Sequence, residues 1–145
     1  MIDVSDLKGW LPPEDWFTIA TLDVHTEGEP LRIVLDGLPA LEGKSIFEKS
    51  CFFRDHFDHL RTLLMWEPRG HNDMYGALIV EPDSNQSDFG VVFIHNEGYS
   101  TGCGHAVLAL TKTFVETGLI KLKDDITPVV IDTPSGTVHA EAISH

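Results

Sequence analysis

The sequence predicts a mixed α/β fold, built in the order strand, strand, helix, strand, strand, helix, strand, strand. Three observations carry this. Short runs rich in β-branched and aromatic residues recur between glycine- and proline-bearing turns. Two longer stretches instead space their apolar residues three or four apart, as helices do. No internal repeat, low-complexity tract or long linker interrupts the pattern, so the elements belong to one mixed layout.

Taken in order, the first fifteen residues form a polar lead-in. Phe17 to Val24 (FTIATLDV) reads as the first strand and ends in His25-Thr26-Glu27-Gly28-Glu29-Pro30, a turn by its Gly and Pro content. Leu31 to Leu35 is the second strand, closed by the hairpin-like Asp36-Gly37. From Ser45 to about Met65, Ile46, Phe47, Phe53, Phe57, Leu60, Leu63 and Leu64 mark an amphipathic helix. Ser45 with Glu48 fits a capping box at its start, and Pro68 and Gly70 lie beyond its end. Tyr75 to Val80 and Gly90 to His95 are two more strands around the polar loop Glu81 to Asp88. Gly98 to Gly104 is a turn, the second helix runs from about Cys103 to Glu116, and Gly118 supplies its C-cap. Ile126 to Asp132 and Thr137 to Ala142 form a closing hairpin around Pro134-Ser135-Gly136.

Composition removes several function classes. A chain of 145 residues is about one domain's worth, and its 42% hydrophobic content suits a globular core. The net charge of −13 argues against nucleic acid and anionic membrane surfaces as partners. No apolar run is long enough to span a bilayer. The acidic start, with Pro12-Pro13, resembles neither a signal peptide nor an Arg-rich transit peptide, so the expected location is cytoplasmic. Two cysteines, Cys51 and Cys103, are too few for a disulfide framework and read as free thiols. The last hairpin reaches His145 with nothing to cover it, so we expect a piece of a longer protein. Residues 1–125 would then be an N-terminal domain, and 126–145 the start of a second.

The chemistry concentrates in Asn96 to Leu110, NEGYSTGCGHAVLAL. A strand ends at His95, small residues turn the chain, and Cys103 falls where a helix begins. The first amides of a helix lack internal partners and carry the positive end of its dipole. That position favours a thiolate. The amides of Gly104 and His105 can bind a carboxylate at the same place. Gly102 and Gly104 leave room for a ligand to approach the backbone. Read without further context, such a cysteine is as readily a small buried hydrophobe as a base.

This stretch resembles the first active-site motif of the proline racemase family, in its trans-3-hydroxy-L-proline dehydratase branch. Asp23-Val24-His25-Thr26-Glu27-Gly28-Glu29-Pro30-Leu31-Arg32 and Glu67-Pro68-Arg69-Gly70-His71-Asn72-Asp73-Met74-Tyr75-Gly76 resemble further blocks of the family, in order, over about residues 17–140. The resemblance implies a diaminopimelate-epimerase-like half, a curved mixed sheet around a central helix, joined in the whole enzyme to a second half. It implies Cys103 as the catalytic acceptor of the α-proton and Gly104 and His105 as substrate-binding positions for the carboxylate. It implies a cyclic amino acid substrate and neither metal nor organic cofactor. Two positions depart from the family pattern: Gly102 stands where a bulkier residue is usual, and Glu27 where glycine is common. Proline racemase or 4-hydroxyproline 2-epimerase is the nearest alternative. A non-catalytic module that only binds a carboxylate is a second, and a homodimer that rebuilds the two-half architecture is a third.

Other residues are weighed against plainer roles. His56 and His59, near Asp55 and Asp58, suggest a metal site but fit a solvated helix face better, and Cys51 on the same helix is expected in the core. His25 and His71 are expected to anchor their loops through backbone hydrogen bonds. Arg69 beside Glu67 suits either an ion pair or a substrate contact. Asn96 and Tyr99 are expected to shape the turn before Cys103.

Overall fold

A computed structural model describes residues 3–123 and 125–143. The outermost residues of the lead-in, and the end of the last hairpin at His145, lie outside the described residues. Strands β1 (Ala20–Thr26), β2 (Glu29–Asp36), β3 (Tyr75–Val80), β4 (Phe89–His95), β5 (Gly98–Ser100), β6 (Ile126–Thr133) and β7 (Gly136–Ile143) alternate with α1 (Ile46–Met65) and α2 (Gly104–Glu116). Two elements were not expected. A 3-10 helix, Val4–Gly9, is capped by Asp3, whose carboxylate accepts from the Ser5 amide at 2.9 Å. The three-residue β5 lies within the segment expected only as a turn, and β1 begins at Ala20 because Phe17 is 68% exposed and unpaired with β2.

Local chemistry sets the element ends. Thr26 pairs with Glu29, so Glu27 and Gly28 alone connect β1 to β2. Both have positive φ, 51° and 97°, the backbone that the strand twist demands of a two-residue hairpin loop. Ser45 Oγ accepts from the Glu48 amide at 3.2 Å, as a capping box requires, but the Glu48 carboxylate accepts from Lys44 N at 2.7 Å, one residue further back. Asp83 takes another orphan donor of that first turn, Ile46 N, at 3.0 Å. At the end of α2, Gly118 has φ 77° and the Ile120 amide folds back to the Phe114 carbonyl at 2.8 Å.

The sheet runs β1-β2-β3-β4-β6-β7, with β2–β3 and β4–β6 parallel and the other pairs antiparallel. β5 pairs with β4 beside β6, because β3 already occupies the opposite edge of β4. The two parallel crossovers, through α1 and through α2, step the same way across the sheet but start from strands of opposite direction. Right-handed connections then have to leave from opposite faces. The packing agrees: Val34, Leu78, Val92 and Ile94 meet α1 residues Phe53, Leu60 and Leu64, while Leu31, Ile33, Val91 and Phe93 meet α2 residues Ala106, Leu110 and Phe114. Strand alternation supplies both sets from the same strands. Helix α2 touches both edge strands, β1 and β7, so the sheet curls around it. This is the curved mixed sheet around a central helix that the sequence led us to expect.

Residues 126–143 pair into this sheet. Phe89 and Gly90 of β4 align with Ile131 and Asp132 of β6, and Val129 and Ile131 belong to the core cluster around α2. Cys51 departs from expectation: it is half-buried and outside both core clusters, because Phe53 takes the inward position on that turn of α1.

Candidate active site at the start of the second helix

Cys103 is the N-cap residue of α2, in extended backbone (φ −152°, ψ 108°), and its side chain makes no capping bond. Its half-buried sulfur packs against the edge of the core cluster around α2. Sγ lies 3.3 Å from His105 Nδ1 and 3.8 Å from Nε2, so the sulfur sits over the face of the imidazole. Gly104 is exposed, and a Cβ built there would meet nothing within 4 Å. The space over the first turn of α2 is open, as a carboxylate cradle needs.

Several elements hold this turn. Thr26, at the end of β1, donates its hydroxyl to the His105 carbonyl at 2.9 Å. Tyr75, the first residue of β3, meets the His105 ring in a T-shaped contact, with centroids 5.0 Å apart. Ser100 Oγ donates to the Gly102 carbonyl at 2.6 Å, and the Ser135 amide donates to the Thr101 carbonyl at 3.2 Å. The loop ahead of the cysteine is thus tied both to itself and to the β6–β7 turn.

Electrostatics here correct the expectation from helix position. Burial pushes the Cys103 thiol above its ordinary value, and the Ala106 amide facing it offsets only part of that. Lost hydration of the half-buried sulfur outweighs the bond from that one amide.

The family model described as proline racemase matches residues 21–145. The chain belongs to the proline racemase family. Within it, the chain is 52% identical over 139 residues to a trans-3-hydroxy-L-proline dehydratase of Colwellia psychrerythraea, covering 94% of this chain and 39% of that protein. It is 51% identical over 131 residues to a trans-L-3-hydroxyproline dehydratase of Xenopus tropicalis, covering 90% of this chain and 38% of that protein. The chain thus spans under two-fifths of the relatives it matches. A solved hydroxyproline epimerase of Agrobacterium vitis, with bound trans-4-hydroxy-L-proline, shares the fold with a TM-score of 0.80 at 24% identity, over 88% of this chain and 38% of that one.

Of the residues singled out beforehand, Cys103, Gly104 and His105 come together at one helix start. The others support it or stand apart. His25 Nδ1 accepts from the Gly28 amide at 3.3 Å and His71 Nδ1 from the Asp73 amide at 3.2 Å, so both anchor their own turns. Asn96 shapes its turn: its side-chain amide donates to the Met65 and His71 carbonyls at 3.2 and 3.0 Å. Tyr99 donates to Asp58 at 2.8 Å. Arg69 is exposed and forms no ion pair with Glu67 among the described residues, while its carbonyl accepts from Arg32 at 2.9 Å. His56 and His59 are exposed, and no group of three or more potential metal ligands occurs among the described residues.

Sequence reasoning missed Thr26, Tyr75 and Arg61. Arg61 is 6% exposed, forks onto Asp58 at 2.7 and 3.0 Å, and donates to the His95 and Asn96 carbonyls at 3.0 and 2.7 Å. It fastens the β4–β5 hairpin, and hence the run into Cys103, to α1. An arginine at an apolar position of the helical repeat was the available signal. Tyr75 had none, because only the β3–β4 register brings it to the helix start.

Proposed function

We propose that this chain is the cysteine-bearing half of a trans-3-hydroxy-L-proline dehydratase, with Cys103 as acceptor of the α-proton. The observation that carries this is the placement of Cys103 Sγ beside His105 Nδ1 at an open helix start whose exposed Gly104 leaves space for a substrate carboxylate. The names of the relatives support the same reaction.

In this reading the substrate carboxylate rests on the amides of Gly104 and His105, where unpaired donors and the helix dipole meet it. Sγ, as thiolate, takes the proton from Cα. The electron pair of that C–H bond forms the double bond to C3, and the C3–O bond breaks. The hydroxyl on the same ring face leaves as water with the proton just placed on sulfur, which restores the thiolate. The enamine then isomerises to pyrroline-2-carboxylate. The raised affinity of Cys103 for its proton makes it a stronger base once ionised. The Ala106 amide is the donor placed to hold the charge. A second catalytic group would come from the part of the longer protein that this chain does not span. The boundary expected at 125/126 would cut the sheet, so the cysteine-bearing domain takes in β6 and β7 as well.

The test is turnover of trans-3-hydroxy-L-proline by the longest natural form of the protein and by its Cys103→Ser variant. Pyrroline-2-carboxylate should form, at a rate cut by on the order of 10²–10⁴-fold in the variant, the range expected for loss of a positioned base. The rate should rise with pH through the thiol's ionisation. Undiminished elimination in the variant would remove Cys103 from the mechanism. Exchange of the α-hydrogen of proline or 4-hydroxyproline for deuterium without elimination would instead make the protein a racemase or epimerase.

A further inference from the structure

The arm ahead of β1 leaves an apolar face in solvent. A 3-10 helix has three residues per turn, so side chains three apart eclipse in one stripe. Along Val4–Gly9 and its C-cap Trp10, that stripe is Val4, Leu7 and Trp10, exposed at 71%, 68% and 58%. Asp3, Ser5 and Lys8 fall off the stripe, so the element is amphipathic. A helix this short does not persist on propensity alone and depends on burying its apolar face. The chain's own core does not supply that cover. The Trp16 amide closes a turn on the Pro13 carbonyl at 3.0 Å, and Trp10 meets Trp16 in a T-shaped contact with centroids 6.2 Å apart. Clasped on itself in this way, the arm keeps its stripe exposed.

A groove of matching character lies at the root of the same arm. Phe17, Leu38, Pro39, Phe57, Leu60 and Leu63 line a cavity of about 720 Å³ beside α1. Charges match as well. Arg69 stands with Phe17 and Leu63 at the adjoining hollow and forms no salt bridge among the described residues. Glu14 and Asp15, at the turn of the arm, are exposed and form none either. The arm thus carries an apolar stripe followed by two free acids, and the groove an apolar floor flanked by a free cation.

We propose that the occupant of this groove is the arm of a second copy of the chain, so that two copies pair by exchanging arms. The arm leaves from Phe17, on the rim of the groove itself. A two-fold axis beside Phe17 therefore lets both arms cross at once, each stripe entering the other copy's groove, which closes the contact at two copies. Leu7 and Trp10 are the anchors, and Glu14 and Asp15 come to face Arg69 at the rim. With an aromatic side chain burying about 150–250 Å², the two exchanged contacts cover roughly 1,200–1,600 Å² in total, within the range of specific, stable interfaces.

The pairing is independent of the reaction assigned to Cys103, and its test needs no turnover. Sedimentation equilibrium of the 145-residue chain should show a dimer. Leu7→Asp, which places a charge on the stripe and lies outside the sheet, should raise the dimer dissociation constant by about 100-fold or more, because each substitution enters a two-fold contact twice. Leu122→Asp, at a leucine 54% exposed outside arm and groove, should leave the constant in place. Exchange itself is read by cross-linking, with Cys51→Ser and Cys103→Ser removing the native thiols. A chain with Leu7→Cys mixed with a chain with Leu63→Cys should yield, on mild oxidation, a disulfide joining positions 7 and 63 of two different chains, identified by peptide mass spectrometry. A chain carrying both substitutions should also link between copies. A monomer at all concentrations, a dimer indifferent to Leu7→Asp or equally weakened by Leu122→Asp, or a doubly substituted chain that closes only on itself would each overturn the proposal. Far-UV circular dichroism that matches the parent confirms that the Leu7→Asp chain is folded, and the cross-link decides the matter where it is not.

Discussion

Replacing Asp132 by asparagine should destabilise the chain by about 2–4 kcal/mol at neutral pH, and the loss should fade in acid. Asp132 sits in β6, 3% exposed. One carboxylate oxygen accepts from the amides of Asp83 and Ser84 at 2.8 and 3.0 Å, and the other from the hydroxyls of Ser87 and Thr137 at 2.9 and 2.7 Å. It thereby pins the loop between β3 and β4 to the β6–β7 hairpin. A hydrogen bond to a charged group stabilises by roughly 1.5–3 kcal/mol and a neutral one by roughly 0.5–1.5. Asparagine keeps the oxygen that faces the amides, and the two hydroxyls can turn to accept from its NH₂. The loss is then about 1 kcal/mol per bond or less, over four bonds. Urea unfolding followed by circular dichroism should show a midpoint lower by about 1–2 M, for a denaturant slope of about 2 kcal/mol/M. The pH dependence follows from the carboxyl itself. Burial alone would raise its pKa, but bonds from Thr137, Ser87 and the Ser84 and Asp83 amides outweigh this and hold it below the usual carboxylate range. A depressed folded value contributes stability that is complete above the unfolded pKa of about 3.9 and is lost as pH falls through the folded one. The gap between parent and variant should therefore narrow below about pH 4. A gap that stays constant from pH 7 to pH 3, or no gap at pH 7, would refute the assignment.

Other expectations can be checked by the same unfolding measurement. Glu27→Gly should stabilise by a few tenths to about 1 kcal/mol, because a non-glycine residue at φ 51° carries a left-handed penalty of roughly 1–2 kcal/mol, partly offset by the entropy glycine loses on folding. Gly102→Ala should be neutral or stabilising by up to about 1 kcal/mol, since its added Cβ would meet only Ser135 Oγ at an ordinary 3.5 Å. Gly70→Ala should be strongly destabilising, because a Cβ there would fall 1.9 Å from the Met65 carbonyl oxygen and the backbone would have to move.

The backbone at Glu27 and Gly102 gives a physical reading of the two departures from the family pattern. Glu27 departs from a glycine pattern at a position whose backbone suits glycine, and exposure lets the side chain bear the strain. Gly102 departs from a bulkier pattern where the backbone is unstrained and the space is there, so the smaller residue forfeits contact and relieves no clash.

What the sequence determined by itself was local. The period of the apolar residues separated strands from helices, Ser45 marked the start of α1 and Gly118 the end of α2, and the small residues around Cys103 placed a thiol at a helix start. Each of these depends on interactions a few residues long, which is why pattern and propensity reveal them. The tertiary structure decided everything that required distant segments to meet. β5 exists because the β3 side of β4 was filled and the β6 side was free. Tyr75 reaches His105, Thr26 reaches its carbonyl, and Arg61 reaches the turn before the cysteine only once register and crossover handedness are set. The ionisation of Cys103 was decided there too. A helix start favours the thiolate locally, but burial in the folded chain removes water from the sulfur, and that outweighs the bond from the Ala106 amide.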